Sequence, residues 1–326
     1  MKLYIFLFFS LFILKGFSQS EAFYQRDTLN IQSDIFETSR KIVVSFPNEL
    51  DNSTINKNCI VYLDGNSAAI TNILSQSAEY LYYSGDMPLS VLVGIVHEER
   101  DIELTEKSKL YDHISKEVLP ILSENYQINK AVTILGHSFG GYFATYCFLR
   151  NNTIFNSCIA ISPAYWTNNK DIFDIATQYA SQNLTGNLFL AIGDTRWIEI
   201  SIRDFVFDFN AHIKQKTNNI NFNLFDLKGF THESTPVVGI GLGLNFCFSQ
   251  FSWNNTLLEQ IEKIKQYPDT WQFYEIKADA LLHLNRKDEA AQTYETAIEK
   301  LQKDKELTQI SKKEVIDRIK TKIKSI

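Results

Sequence analysis

The sequence predicts an α/β protein: a mostly parallel sheet flanked by helices, with a small all-α extension at the C-terminal end. Three observations carry this. Short apolar, β-branched runs alternate with helix-like stretches from about residue 41 to residue 251, the pattern of strands joined by crossover helices. One strand-to-helix junction reads Gly136-His137-Ser138-Phe139-Gly140-Gly141, a complete G-x-S-x-G turn. From Asn254 onward there is no strand pattern and no glycine, and Lys, Glu and Gln rise.

The elements follow in order. Residues 1–18 open on Met1-Lys2, run apolar from Leu3 to Leu14 and end on Gly16-Phe17-Ser18. This reads as a secretory signal peptide cleaved before Gln19, too short for a comfortable membrane span. Residues 19–35 are polar and read as an irregular or edge-strand start. Residues 41–46 form a strand that Pro47-Asn48 ends, and 59–63 a buried strand closed by the turn Asp64-Gly65-Asn66. A helix over 70–83 and a strand over 90–96 come next. Residues 105–126 carry Leu110, Ile114, Val118 and Leu122 at helical spacing. The strand 131–135 leads into the serine turn, and 142–150 reads as a buried helix. Strands follow at 155–161, 187–192 and 221–227, with a helix at 199–214 between the last two and another at 236–251. In a parallel sheet of this kind the ligand crevice lies at the carboxyl ends of the strands. The serine turn, the Asp64 turn, the Asp194 loop and the His232 loop all fall at that edge.

Composition narrows the function further. The 326 residues are 44% hydrophobic, enough for one large α/β domain and an appendage. A net charge of −6, with no basic stripe and no glycine-rich phosphate loop, speaks against nucleic acid as a partner. Cys59, Cys147, Cys158 and Cys247 each sit in a predicted apolar element without C-x-x-C spacing, so they read as buried free thiols. No Cys/His cluster has metal-ligand spacing, and neither metal nor cofactor is expected.

The serine turn carries the chemistry. A tight strand–turn–helix junction holds a serine hydroxyl above the sheet, and the N–H of Phe139 faces the place where an oxyanion forms. Ser138 is therefore the candidate nucleophile. It needs a histidine base. His113, His212 and His283 fall on predicted helices, His97 follows a strand, and His137 lies inside the turn and reads as pointing away from the cleft. His232 alone sits in a late loop after the last strand, so it is the candidate base. The acid belongs after strand 187–192. Asp194, at the strand tip, is preferred over Glu199, and a Ser–His dyad without acid stays open. Asn66 is the candidate second oxyanion donor. Trp166, Tyr165 and Trp197 are expected to line the cleft, and Arg100 either binds an anionic substrate group or pairs with Asp101.

Taken together, Tyr62-Leu63-Asp64-Gly65, Val93-Gly94-Ile95 with Arg100-Asp101, the serine turn, Ile161-Ser162-Pro163-Ala164-Tyr165-Trp166 and His232-Glu233-Ser234-Thr235-Pro236 occur in this order. Over about residues 25–250 the chain resembles the Putative esterase family, which includes esterase D, enterochelin esterases and some feruloyl esterases. The resemblance implies an α/β-hydrolase fold, no cofactor, and ester hydrolysis through an acyl-enzyme on Ser138 with His232 as base. Where the family commonly carries its acid, Arg196 stands close to the place. Further on, Tyr274, Ala278, Leu281, Ala290, Tyr294 and Ala297 resemble one tetratricopeptide-type hairpin turning at Asn285-Arg286-Lys287-Asp288, with Gln302 where a late proline is usual. One such repeat cannot bury its own face. Helices expected at 254–266 and 312–325, or docking on the α/β domain, would cover it.

The domains expected are thus the signal peptide 1–18, an esterase domain 19–252 and a helical extension 253–326. The function expected is an exported serine esterase acting on a small-molecule ester, periplasmic or secreted in a bacterial host. The alternatives are a non-catalytic binding or scaffold protein that recruits a protein partner through 254–326, and an acyltransferase using the same serine.

Overall fold

The computed structural model describes residues 22–48, 57–180, 184–217, 219–251 and 269–326. The signal peptide at 1–18, the helix expected at 254–266 and the proposed boundary at 252/253 lie outside these residues.

Among the described residues eight strands form one sheet. They are β1 (Tyr24–Ser33), β2 (Thr38–Pro47), β3 (Asn58–Tyr62), β4 (Ser90–Ile95), β5 (Val132–His137), β6 (Phe155–Ile161), β7 (Gly186–Ile192) and β8 (Ile220–Asp226). Their order is β1-β2-β4-β3-β5-β6-β7-β8. The first hairpin, β1–β2, joins β4 antiparallel, and every pairing from β4 to β8 is parallel. The antiparallel start shows that the polar segment before residue 35 is a regular edge strand.

Strand periodicity splits the core in two. In β3, Cys59 and Val61 face one layer while Ile60 and Tyr62 face the other. Helices α1 (Ala68–Ser84) and α8 (Thr235–Cys247) cover the second face through Leu74, Ala78, Ile240 and Leu244. The first face is covered by α2 (Arg100–Glu106), α3 (Ser108–His113), α4 (Leu119–Tyr126), α5 (Phe139–Arg150), α6 (Thr167–Ala180) and α7 (Arg203–Lys216). Being covered on both faces is what makes the central strands read as continuous apolar runs.

Two helical segments depart from the sequence pattern. The single helix expected over 105–126 is broken at Lys107, whose φ of 52° is left-handed and whose Nζ reaches Asp171 Oδ2 at 2.7 Å. Past α3 the chain widens into a π turn, Ile114–Val118. There the Glu117 carboxylate accepts from Ser33 Oγ (2.6 Å) and from the N–H groups of Asp34 (2.9 Å) and Ile35 (3.1 Å), tying the β1–β2 hairpin to this layer. Helix α6 was not anticipated. It starts in a left-handed turn, Asn168, Asn169 and Lys170, in which Asn168 Nδ2 donates to Thr105 O at 2.7 Å.

All four cysteines are free and buried, and burial pushes the Cys59 thiol up to about 12. Beyond the sheet lies a distinct all-α extension: α9 (Trp271–His283), α10 (Lys287–Lys303) and α11 (Gln309–Lys324). Helices α9 and α10 form a hairpin whose Ala278, Leu281, Ala290, Tyr294 and Ala297 pack together, and Ile319 of α11 closes the cluster. Glu275 of α9 receives Arg318 (2.6 Å) and Lys322 (3.0 Å) from α11. Among the described residues no helix is long and apolar enough to cross a membrane.

Candidate active site

The serine turn closes the end of β5, next to the middle of the sheet. Ser138 has φ 59° and ψ −121°, a conformation that costs about 1–3 kcal/mol for a residue other than glycine. Its neighbours hold it there. Ser138 N–H donates to Ile161 O at 2.9 Å, and Ser138 O accepts from Tyr142 N and Ala164 N, both at 3.1 Å. The turn doubles back so tightly that a Cβ on Gly136 would stand 2.1 Å from Gly140 O. This is the physical reason that position 136 is glycine.

His232 sits in the loop between β8 and α8 and is 4% exposed. Its Nδ1 lies 2.7 Å from Glu199 Oε2. Since an ionised carboxylate only accepts, Nδ1 carries the proton of the neutral ring and Nε2 keeps the lone pair. Its main-chain carbonyl accepts from Thr235 Oγ1 at 2.7 Å and from His137 Nε2 at 2.9 Å.

Glu199 is completely buried. It points inward from a 3₁₀ turn, Trp197–Ser201, whose Trp197, Ile198 and Ile200 all face solvent. Its Oε1 accepts from Ser162 Oγ at 2.6 Å and from Gly193 N at 2.5 Å. Burial alone would raise this carboxyl; the hydrogen bonds from His232, Ser162 and Gly193 outweigh it and hold the group below the ordinary carboxylate range.

Asp194, the preferred acid from sequence, does something else. Its carboxylate accepts from Thr195 N (2.8 Å) and Gly229 N (3.2 Å), and these backbone donors lower its pKa. It thereby stitches the β7 loop to the β8 loop. Arg196 donates to Gly229 O. The structure brings Glu199, and not Asp194, to His232. The helix expected from residue 199 begins instead at Arg203, so Glu199 is freed to turn inward on the shorter 3₁₀ turn.

The remaining candidates divide. Asn66 is exposed, and the amides on either side of it are committed, Gly65 N to Ile95 O (2.7 Å) and Ser67 N to Asp64 O (2.8 Å). Phe139 opens α5, and its ring meets Trp166 at 5.6 Å between centroids. Trp166 and Trp197 are exposed at this edge. Tyr165, expected to line the cleft, is fully buried, with its hydroxyl 2.7 Å from Thr145 Oγ1 and its ring on Phe209. Arg100 is not a free cation for substrate: its fork grips Asp64 at 2.5 and 2.9 Å, and Asp101 takes a third contact at 3.2 Å. A cleft of about 410 Å³ lies beside the turn, lined by Asn66, Ile70, Ile73, Arg100, His137 and Pro236 among others.

Sequence reasoning overlooked Ser162, which donates to the Glu199 carboxylate, and Thr235, which donates to the His232 carbonyl. Both lie in the segments that carried the family resemblance, Ile161–Trp166 and His232–Pro236, and that was the available signal. His137 is also different from expectation, since its ring packs on His232, 4.5 Å between centroids. Among the described residues no group of His, Cys, Asp and Glu is placed to hold a metal ion.

A serine in a strained strand-to-helix turn at the carboxyl edge of a parallel sheet, with a carboxylate-anchored histidine on the loop past the last strand, defines an α/β-hydrolase. Within that class, residues 33–195 match the family described as Putative esterase, and the chain belongs to it. Solved structures share the fold. An IroE-like serine hydrolase from Shewanella oneidensis superposes with a TM-score of 0.64 at 15% identity, covering 84% of this chain and 99% of its own. An uncharacterised protein from Capnocytophaga ochracea gives 0.62 at 14%, over 91% and 100%. The siderophore hydrolase EstA from Aspergillus nidulans gives 0.61 at 16%, over 72% and 98%. No curated protein matches the sequence significantly.

Proposed function

We propose that this protein is a serine esterase in which Ser138 is the nucleophile, His232 the general base and Glu199 the acid. The observation that carries the reading is the 2.7 Å contact from His232 Nδ1 to the buried Glu199 carboxylate, in a loop that packs on the residue preceding Ser138. In this reading Ser138 Oγ attacks the ester carbonyl as His232 Nε2 takes its proton, and Glu199 stabilises the imidazolium that results. The N–H groups of Phe139 and Asn66 receive the oxyanion, each contributing about 3 kcal/mol to the transition state. His232 then protonates the leaving alcohol, and a water molecule releases the acid from Ser138 by the reverse path.

The exposed Trp166 and Trp197 favour an ester with an apolar or aromatic group at the rim. We further propose that residues 1–18 export the chain, and that α9 and α10 are a tetratricopeptide-type hairpin. The second point is supported by the packing of Ala278, Leu281, Ala290, Tyr294 and Ala297 along their contact. The test is hydrolysis of short p-nitrophenyl esters by the chain from Gln19, with fluorophosphonate labelling of Ser138. Turnover and labelling that both vanish in Ser138→Ala support the reading. A folded wild type that is neither active nor labelled overturns it.

A further inference from the structure

We propose that His137, the residue before the nucleophile, is a positioning residue: it carries a neutral hydrogen-bond donor that registers the His232 loop against the serine turn. This rests on the serine-esterase reading above.

The base and the nucleophile come from distant parts of the chain, and something must set their separation. His232 is anchored on one side by Glu199 and Thr235, which belong to its own end of the sheet. From the β5 side, the His137 ring reaches across to it. His137 Nε2–H donates to His232 O at 2.9 Å, and the two imidazoles lie 4.5 Å apart at 42°. His137 is itself held from behind, because Arg100 Nη2 donates to His137 O at 3.3 Å while gripping Asp64. The chain of contacts therefore runs from the Asp64 turn through Arg100 and His137 to the His232 main chain. A shift of one ångström in the base is worth about a hundredfold in rate, so a contact of this kind matters kinetically even though it never touches substrate.

The donor must also be uncharged. His232 becomes an imidazolium in the proposed reaction, and a second cation 4.5 Å away would oppose it. The charged and titratable groups facing His137 are Asp64 and Arg100 from one side and His232 and Glu233 from the other, with Glu199 beyond His232. Arg100 is neutralised by Asp64. Burial first, and then the charge of His232, push the His137 imidazole down to about 4, so it is neutral at neutral pH.

Glutamine and methionine at 137 separate the two roles, since they match in length and only glutamine keeps an N–H donor. His137→Gln is expected to stay within about 3-fold of wild type. His137→Met is expected to lose about 10-fold or more in kcat and in the rate of Ser138 phosphonylation, with KM within about 3-fold and the melting temperature retained. A merely structural role would move stability and would not separate kcat from KM in this way. Equal phosphonylation and kcat in the two variants overturns the proposal. If the Met variant does not fold, His137→Ala is compared with Gln under the same criterion. A wild type without activity or labelling signals failure of the esterase reading, whereas an active wild type matched by Met signals failure of this inference alone.

Discussion

Asp194 and Glu199 leave the same strand on the same loop, yet they live in different physical worlds. Asp194 sits at the strand tip, where sequence reasoning places an acid, and spends its oxygens on the amides of Thr195 and Gly229 at the surface. Glu199 lies further along, is wholly buried, and spends one oxygen on Ser162 and Gly193 and the other on His232. Both are lowered below the usual carboxylate range, so a shifted pKa does not tell them apart. Burial and direction do. An acid that orients a histidine must be held where water cannot compete for it, and the 3₁₀ turn Trp197–Ser201 sends Glu199 inward while its apolar neighbours stay outside.

The sharpest way to test the comparison begins with the groups both acids would serve. Ser138→Ala or His232→Ala is expected to lower kcat by about 10⁴–10⁶-fold in ester hydrolysis, without loss of fold by circular dichroism. Glu199→Gln keeps the shape of the side chain and removes the charge; kcat/KM is expected to fall by about 10²–10⁴-fold. Asp194→Asn keeps an acceptor for the loop amides, and its kcat/KM is expected within about 3-fold of wild type. A larger loss in Asp194→Asn than in Glu199→Gln would reverse the assignment.

The smallest effect concerns acid stability. Asp226 is held at about 2, chiefly by the hydrogen bonds of Arg203, and Glu103 is also held at about 2, where the donors His97 and Arg40 outweigh burial. A carboxyl with a depressed folded-state pKa contributes stability above its unfolded value, and loses it as pH falls through the folded one. Melting temperature is therefore expected to hold from neutral pH to about 4.5 and to fall between there and about pH 2, the window set by ordinary and lowered carboxyls. Glu103→Gln should flatten that decline, and Asp194→Asn should leave it nearly unchanged because the surface carboxylate is well solvated. An unchanged slope in Glu103→Gln would show that Glu103 does not set the acid limit.

Much of this was readable in advance. The alternation of apolar runs gave the sheet, the glycines around Ser138 gave the turn, and the late position of His232 singled it out. What stayed hidden depended on side-chain direction across long sequence separations. Nothing local reveals that Trp197 adopts a left-handed φ of 53° and turns the next helix start into a 3₁₀ turn, and that conformation accompanies the inward aim of Glu199. Tyr165 reads from sequence as a cleft residue together with Trp166, yet of the two only Trp166 is exposed. Helix α6 opens through three left-handed residues, a start that no propensity scale favours.

The strand order has a consequence in time. Ser138 belongs to β5 at the middle of the sheet, whereas Glu199 follows β7 and His232 follows β8 at its far edge. A ribosome delivers these parts in that sequence. On the proposed reading, a nascent chain that has emerged only through β6 carries Ser138 without the His232 and Glu199 that would activate it. Reactivity then requires the His232 loop, which follows the last parallel strand, to have closed beside the serine turn, so the last-made part of the sheet completes the site.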